Sequence, residues 1–383
     1  MDLDESVPQL LSYENAVFLA RTMDLFSEFP LRELSVPNRV MMSPMCQYSA
    51  KGDGVPTEWH HVHYGSRAVG GAGIIMLEAT AVEPRGRISP GDLGIWNDTQ
   101  QAQFEQITSF IQDHDSVPAI QLAHAGRKAS TAVPSEGGDG LMPDEGGWTT
   151  VGPTDNPYPR DGTTVPVSAL ATEDVQNIVN AFRDSAVKAR DAGFQIAEIH
   201  AAHGYLIHQF LSPVTNQRDD RYGGSFKNRT RFLREITEAV RSVWPDNLPI
   251  FARISATDWL PDHESWTIED STRAAEMLAE CGVDLIDVSA GGLHPDQQLP
   301  DTGPNYMVPF AETIREQTSV PVGAVGKITS GEQADALIRN GRADLAVVGR
   351  EHLRDPYFTL HAARQLGRTD DIDWPVQYQR AVR

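Results

Sequence analysis

The sequence predicts an α/β fold, a single (β/α)8 TIM barrel, on three observations: eight short β-branched runs, amphipathic stretches between them, and no G-x-G-x-x-G turn after the first run. The runs are 39–45, 73–80, 117–123, 195–200, 249–255, 284–289, 320–325 and 343–349. Helical spacing fills 101–114, 172–192, 226–243, 268–281 and 330–340, several of them opening on a Ser or Thr suited to an N-cap. A doubly wound sheet is the alternative on periodicity, and eight units suit closure better.

Two regions depart from the repeat. Residues 1–24 read as an acidic, weakly helical extension expected to be poorly ordered, with Met23 as an alternative start. Residues 129–168, rich in Gly, Pro, Asp and Ser, form a long loop after the third strand, where a barrel builds its substrate walls. The barrel is assigned to 25–370 and a C-terminal tail to 371–383.

Of 383 residues, 40 % are apolar, enough for a sizeable core, yet the longest apolar runs, 16–20 and 74–77, fall far short of the roughly 18–20 residues that span a bilayer. Asp2, Asp4 and Glu5 stand where a secretory signal carries positive charge, so a cytoplasmic protein is expected. Two cysteines, Cys46 and Cys281, exclude a disulfide framework and the four thiolates of an iron–sulfur cluster. The net charge of -21 argues against nucleic acid and anionic membranes as partners. Five lysines beside 27 arginines suit a halophilic protein, since about 1 M salt shortens the Debye length to about 3 Å, although an acidic mesophilic enzyme would read the same way.

On a barrel, chemistry collects at the C-terminal ends of the strands. These ends carry Ser43, Pro44, Met45, Cys46 and Tyr48; Glu78, Ala79 and Thr80; Gln121, His124, Arg127 and Lys128; His200, His203 and Tyr205; Arg253; Ser289; Gly323 and Gly326; and Gly349 and Arg350. The glycine turns of strands seven and eight, with Arg350, suit a phosphate cradle, though such glycines also simply turn a chain. Arg253 lies in an apolar strand, where a guanidinium needs an anion, either a protein carboxylate or a ligand.

His200 and His203 could bind metal, hold an oxyanion or pack. A catalytic zinc takes a third protein ligand, and Glu198 reads as alternating away from the pair. Tyr205 favours substrate chemistry, because two N–H donors can hold a carbonyl oxygen while a phenol supplies a proton. Cys46 is either an inert buried thiol or a redox modulator.

The stretches RVMMSPMCQYSA, HYGSRAVGGAGIIMLEATAV, QLAHAGRKA, EIHAAHGYLIHQFLSPVTNQRDDRYGGS, FARIS, DLIDVSAGG, GAVGKI and ADLAVVGREHLRDPYF resemble the NADH:flavin oxidoreductase, or old yellow enzyme, family, in the branch whose active site contains a cysteine. The resemblance implies non-covalent FMN, reduced by NADPH or NADH, and an ene-reductase acting on small enones or nitro compounds. It implies that Ser43, Pro44, Met45, Cys46, Ala79, Gln121, Arg253, Gly326, Gly349 and Arg350 contact the flavin. His200 and His203 would bind the substrate oxygen, Tyr205 would give the proton, Tyr48 would lie over the site, and Cys46 would tune the flavin. The tail Gln377-Tyr378-Gln379-Arg380 resembles one that inserts its arginine into a neighbouring subunit, which implies a homodimer or homotetramer. Two rivals are kept: a metal-dependent barrel hydrolase or lyase using His200 and His203, and a non-catalytic flavin sensor working through Cys46.

Overall fold

The computed structural model describes residues 23–382, so the extension expected over 1–24 lies, up to residue 22, outside the described residues. The described chain is tied down from its start: the Asp24 carboxylate meets Arg339 at 3.3 Å and Arg368 at 2.7 Å.

Among the described residues, twelve strands follow in chain order. β1 (Phe29–Leu31) and β2 (Leu34–Val36) form an antiparallel hairpin. β3 (Val40–Met42), β4 (Ile74–Ala81) and β5 (Val117–Ala123) begin the barrel, and the short pair β6 (Thr150–Gly152) and β7 (Val167–Ala169) stands outside it. β8 (Ile196–Ala201), β9 (Ile250–Ser255), β10 (Leu285–Ser289), β11 (Val322–Ala324) and β12 (Leu345–Val348) complete it. The closed order β10-β11-β12-β3-β4-β5-β8-β9 places neighbours in sequence side by side and all parallel, as the eight runs predict.

Alternation along these strands sorts the apolar residues into two cores. Met41, Ile74, Met76, Val117, Ala119, Ile196, Phe251, Leu285, Leu345 and Val347 point inward and meet Phe29, Leu31 and Val36 of the hairpin, which plugs the N-terminal end of the barrel. Their neighbours Val40, Met42, Ile75, Leu77, Ile199, Ile254, Ile286 and Val348 point outward onto the helices. The interior is therefore dry below, and its polar residues are confined to the upper half.

The helices are α1 (Glu58–Val69), α2 (Asp98–Gln112), α3 (Thr172–Asp191), α4 (Leu206–Leu211), α5 (Phe226–Arg229), α6 (Arg231–Arg241), α7 (Ile268–Glu280), α8 (Val308–Gln317), α9 (Gly331–Arg339), α10 (Arg350–Arg354) and α11 (Phe358–Gln365). Side-chain caps start several of them. Asn97 accepts from Gln100 N at 3.0 Å ahead of α2, and Ser330 from Gln333 N at 3.2 Å ahead of α9. The single helix expected over 226–243 is broken at Thr230, whose hydroxyl turns back to the Phe226 carbonyl at 2.9 Å and competes with the ladder.

The loop over 129–168 is folded onto the mouth of the barrel. β6 and β7 pair in parallel within it, Trp148 Nε1 donates to the Arg85 carbonyl at 3.0 Å, and the Tyr158 ring covers Lys128 Nζ at 5.1 Å. Among the described residues no helix is long and apolar enough to cross a membrane.

Candidate active site

The upper interior is lined by side chains that the inward register of four strands delivers to one place. Directly above the dry core stand Gln121 on β5, Glu198 on β8, Arg253 on β9 and Asp287 on β10, all buried. Gln121 Nε2 donates to Glu198 Oε2 at 2.6 Å, and Arg253 Nη2 to Ser43 Oγ at 3.2 Å. Arg253 Nε lies 3.1 Å from Asp287 Oδ2, but misaligned, so it makes no hydrogen bond there. Glu198 is a correction to the sequence reading: two residues before His200 on a strand, it shares the inward face with that histidine rather than alternating away.

One layer higher lies the turn that carries the predicted pair. The His200 and His203 rings meet edge to face at 5.2 Å and 87°, and His200 meets Tyr205 at 5.1 Å and 89°. His200 Nδ1 accepts from Ala202 N at 3.3 Å, which leaves the ring proton on Nε2. His203 N donates to Ser255 Oγ at 2.9 Å, and His203 Nε2 shares a 2.7 Å bond with Ser289 Oγ. Burial first, and the Arg253 charge second, hold both imidazoles well below the usual histidine range, so they are neutral donors at neutral pH. Burial likewise raises the Tyr205 phenol well above its ordinary value and keeps its proton in place.

His203 reaches this position only through a left-handed turn, φ 58° at His203 and 72° at Gly204. A Cβ on Gly204 would fall 2.3 Å from the Gly292 carbonyl, so the β8 and β10 loops pack backbone against backbone and only glycine fits. Lys128 clamps both, its Nζ donating to the His203 carbonyl at 2.9 Å and the Gly292 carbonyl at 2.8 Å. Burial, then Arg160 and Arg127, push the Lys128 ammonium down to about 8. Beneath the turn, His208 Nδ1 accepts from Gly204 N at 2.9 Å, and His208 Nε2 lies 2.8 Å from Asp258 Oδ1.

Across the mouth, Ser43, Pro44, Met45, Cys46 and Tyr48 form the extended segment after β3, half-buried beyond Ser43. Burial and the nearby carboxylates of Asp92 and Glu78 push the Cys46 thiol well up, and burial with Cys46 raises the Tyr48 phenol. A β-bulge between Leu77 and Ala79 turns Glu78 out of the barrel. There its carboxyl accepts from Gln47 N at 2.7 Å and Tyr64 Oη at 2.8 Å, pinning the Cys46 segment to β4 and α1.

The seventh and eighth strands end at Gly326 (φ 149°) and Gly349, beside a cavity of about 270 Å³ lined by Tyr306, Met307, Lys327, Arg350 and Arg354 among others. Nothing comes closer than 3.9 Å to where a Gly349 Cβ would stand, and Arg350 is exposed at its rim. Gly323, by contrast, is a packing glycine inside β11, its missing Cβ lying 2.9 Å from Val347. Arg380 is not brought to the mouth within one chain. The tail of which it is part lies by Asn38, Gly71 and Ser116, the N-terminal ends of barrel strands, so it sits at the opposite face.

A barrel with neutral buried donors and a phenol on one side of its mouth, and an open glycine and arginine cradle on the other, defines the class that holds a planar anionic cofactor. Residues 24–369 match the NADH:flavin oxidoreductase / NADH oxidase family. The chain is 45 % identical over 360 residues to an NADPH dehydrogenase of Geobacillus thermodenitrificans, covering 94 % of this chain and 98 % of that one. It is 47 % identical to an NADPH dehydrogenase of Bacillus cytotoxicus, covering 93 % and 96 %. Among solved structures it resembles the old yellow enzyme homologue of Zymomonas mobilis, with TM-score 0.74, 26 % identity and coverage of 90 % and 93 %. It also resembles morphinone reductase in complex with tetrahydroNAD, with TM-score 0.72, 28 % identity and 92 % of each chain covered. The chain belongs to the NADH:flavin oxidoreductase, or old yellow enzyme, family, and is an NAD(P)H-dependent flavin oxidoreductase with FMN as its cofactor.

The residues present fit FMN. The buried Arg253 guanidinium, steadied by Ser43 at Nη2, suits an electron-rich ring edge, while Gly349, where a Cβ would meet nothing closer than 3.9 Å, and exposed Arg350 leave open backbone and a cation for a phosphate.

Proposed function

We propose that the protein is a cytoplasmic ene-reductase that uses NADPH or NADH to reduce the C=C bond of α,β-unsaturated carbonyl or nitro compounds. The observation that carries this reading is the edge-to-face cluster of His200, His203 and Tyr205, two neutral imidazoles and a protonated phenol at one strand end.

FMN supplies hydride chemistry at its N5. It would be held by Ser43, Pro44, Met45, Cys46, Ala79, Gln121 and Arg253 at the ring and by Gly326, Gly349 and Arg350 at the phosphate. His200 Nε2–H and His203 Nδ1–H hold the substrate oxygen, the latter proton being fixed when Ser289 donates its hydroxyl to Nε2. Both donors strengthen their bonds as negative charge develops on that oxygen. Tyr205 then gives its proton to the α-carbon. Tyr48 and Tyr158 wall the site, and Cys46, held as a thiol, bears on the cofactor by contact rather than as a thiolate, which also weighs against a thiol-based sensor. Arg380 reaches the mouth of a neighbouring subunit in a homodimer or homotetramer.

The test is an absorbance spectrum of the purified protein, then anaerobic titration with each nicotinamide and with a panel of enones and nitro compounds. A yellow protein bleached by NADPH or NADH and recoloured by an enone is expected. A protein bleached by nicotinamide but recoloured by none of the panel would overturn the ene-reductase reading while leaving the family intact.

A further inference from the structure

We propose that Glu198 and Asp287 form a proton-holding pair beneath the cofactor, with one of them ionised while FMN is oxidised and neither once it is reduced. The inference rests on the ring edge of FMN lying over Arg253 and is independent of which compound is reduced.

The geometry sets two buried carboxyl groups against one guanidinium, directly above the apolar core. Glu198 and Asp287 are both 0 % exposed, and the layer below them is Ile196, Phe251, Leu285 and Val347. The groups facing the pair are Gln121 from β5, Ser43 from the end of β3, Arg253 from β9 and the neutral His200 above Glu198 on β8; β11 and β12 contribute Gly323 and Val347. Only Arg253 among these is a cation. Lys128 stands a layer higher and spends two donors on backbone carbonyls.

Hydrogen bonding leaves room for protons. Gln121 satisfies Glu198 Oε2, but Glu198 Oε1 and both oxygens of Asp287 have no hydrogen-bond partner. Two buried carboxylates beside one cation would carry an uncompensated charge, which binding a proton removes. Burial, and for Glu198 also the repulsion of Asp287, raise both carboxyls, in the direction this requires.

The rule of one anion per guanidinium then couples the pair to the redox state. Hydride from the nicotinamide brings two electrons and a proton to the cofactor, and with them one negative charge beside Arg253. The remaining carboxylate takes one proton from solvent, so the site gains one hydride and one proton and no net charge. Arg253 is thereby released from the carboxylate to the ring edge.

The midpoint potential of the FMN-loaded protein, followed by absorbance against pH, reads this directly, since each proton taken up per two electrons contributes about 30 mV per pH unit. The wild type is expected to show a slope near 59 mV per pH unit around neutrality. Glu198→Gln and Asp287→Asn each leave one carboxyl to pair with Arg253 and should keep that slope, whereas the double variant, which leaves no carboxyl to take the proton, should fall to about half of it. Infrared difference spectra of the unmodified protein should gain a protonated-carboxyl band on reduction, a readout that needs no variant. A wild-type slope of one proton per two electrons with no new band would overturn the proposal. So would a steep slope unchanged in the double variant, which would place the second proton on the flavin.

Discussion

At the scale of single residues, the neutral histidines are the part of the site whose removal has a defined expected cost. Losing one donor to a developing oxyanion typically costs about 2.7–4 kcal/mol, or roughly 10²–10³ in rate. His200→Ala is therefore expected to slow enone-driven reoxidation of the reduced protein by that factor in stopped-flow absorbance. Tyr205→Phe should slow the same step and leave reduction by NADPH within a few fold. The strand-end rule made His200, His203, Tyr205 and Cys46 legible, because strand ends can be read from periodicity. It failed at Glu198, although the period of two puts residues 198 and 200 on one face. Asp287 sits inside an apolar run, and Lys128 among other polar residues, so nothing local marks the layer below the cofactor or the clamp on the turn. Those roles arise from contacts between β5, β8, β9 and β10 and their loops, which no single segment encodes.

At the scale of elements, the strands were legible and some helices were not. Each barrel strand matches one of the eight runs, with β4 and β8 running one residue past theirs, since a buried strand needs only a short β-branched stretch. α1 escaped because the face it buries is His60, His63, Tyr64, Gly65, Arg67 and Ala68, with no aliphatic stripe to read. The same helix supplies the Tyr64 hydroxyl that, with Gln47 N, holds the Glu78 carboxyl behind the Cys46 segment. Burial raises that carboxyl from the usual 4.5 to about 8. The folded chain thus holds a proton that the unfolded chain sheds, so the stability contributed by protonated Glu78 is complete below pH 4.5 and is lost as pH rises through about 8. Thermal melts between pH 5 and 8 should therefore decline more in the wild type than in Glu78→Gln; equal slopes would remove the link.

At the scale of the whole molecule, charge and the tail carry the remaining expectations. With a net charge of -21, self-repulsion opposes the compact state. Raising salt from about 0.1 M to about 1 M shortens the Debye length from about 10 Å to about 3 Å and should raise the melting temperature. A melting temperature that is flat or falls with salt would contradict that reading. The tail leaves Val376 and Tyr378 79 % and 40 % exposed at the barrel face opposite the mouth, so Arg380 does not reach the mouth of its own chain, and the proposed role needs another copy. Truncation after Pro375 is expected to lower both activity and oligomeric order; a truncated protein unchanged in both would remove the trans role of Arg380.

The central claim, that the His200, His203 and Tyr205 cluster reduces an activated C=C bond over FMN, is tested most directly by anaerobic mixing of the pre-reduced protein with cyclohexenone. The expected result is return of the oxidised flavin spectrum with formation of cyclohexanone, slowed in His200→Ala and in Tyr205→Phe. A flavin that stays reduced in the wild type, or one reoxidised at the same rate in both variants, would contradict it.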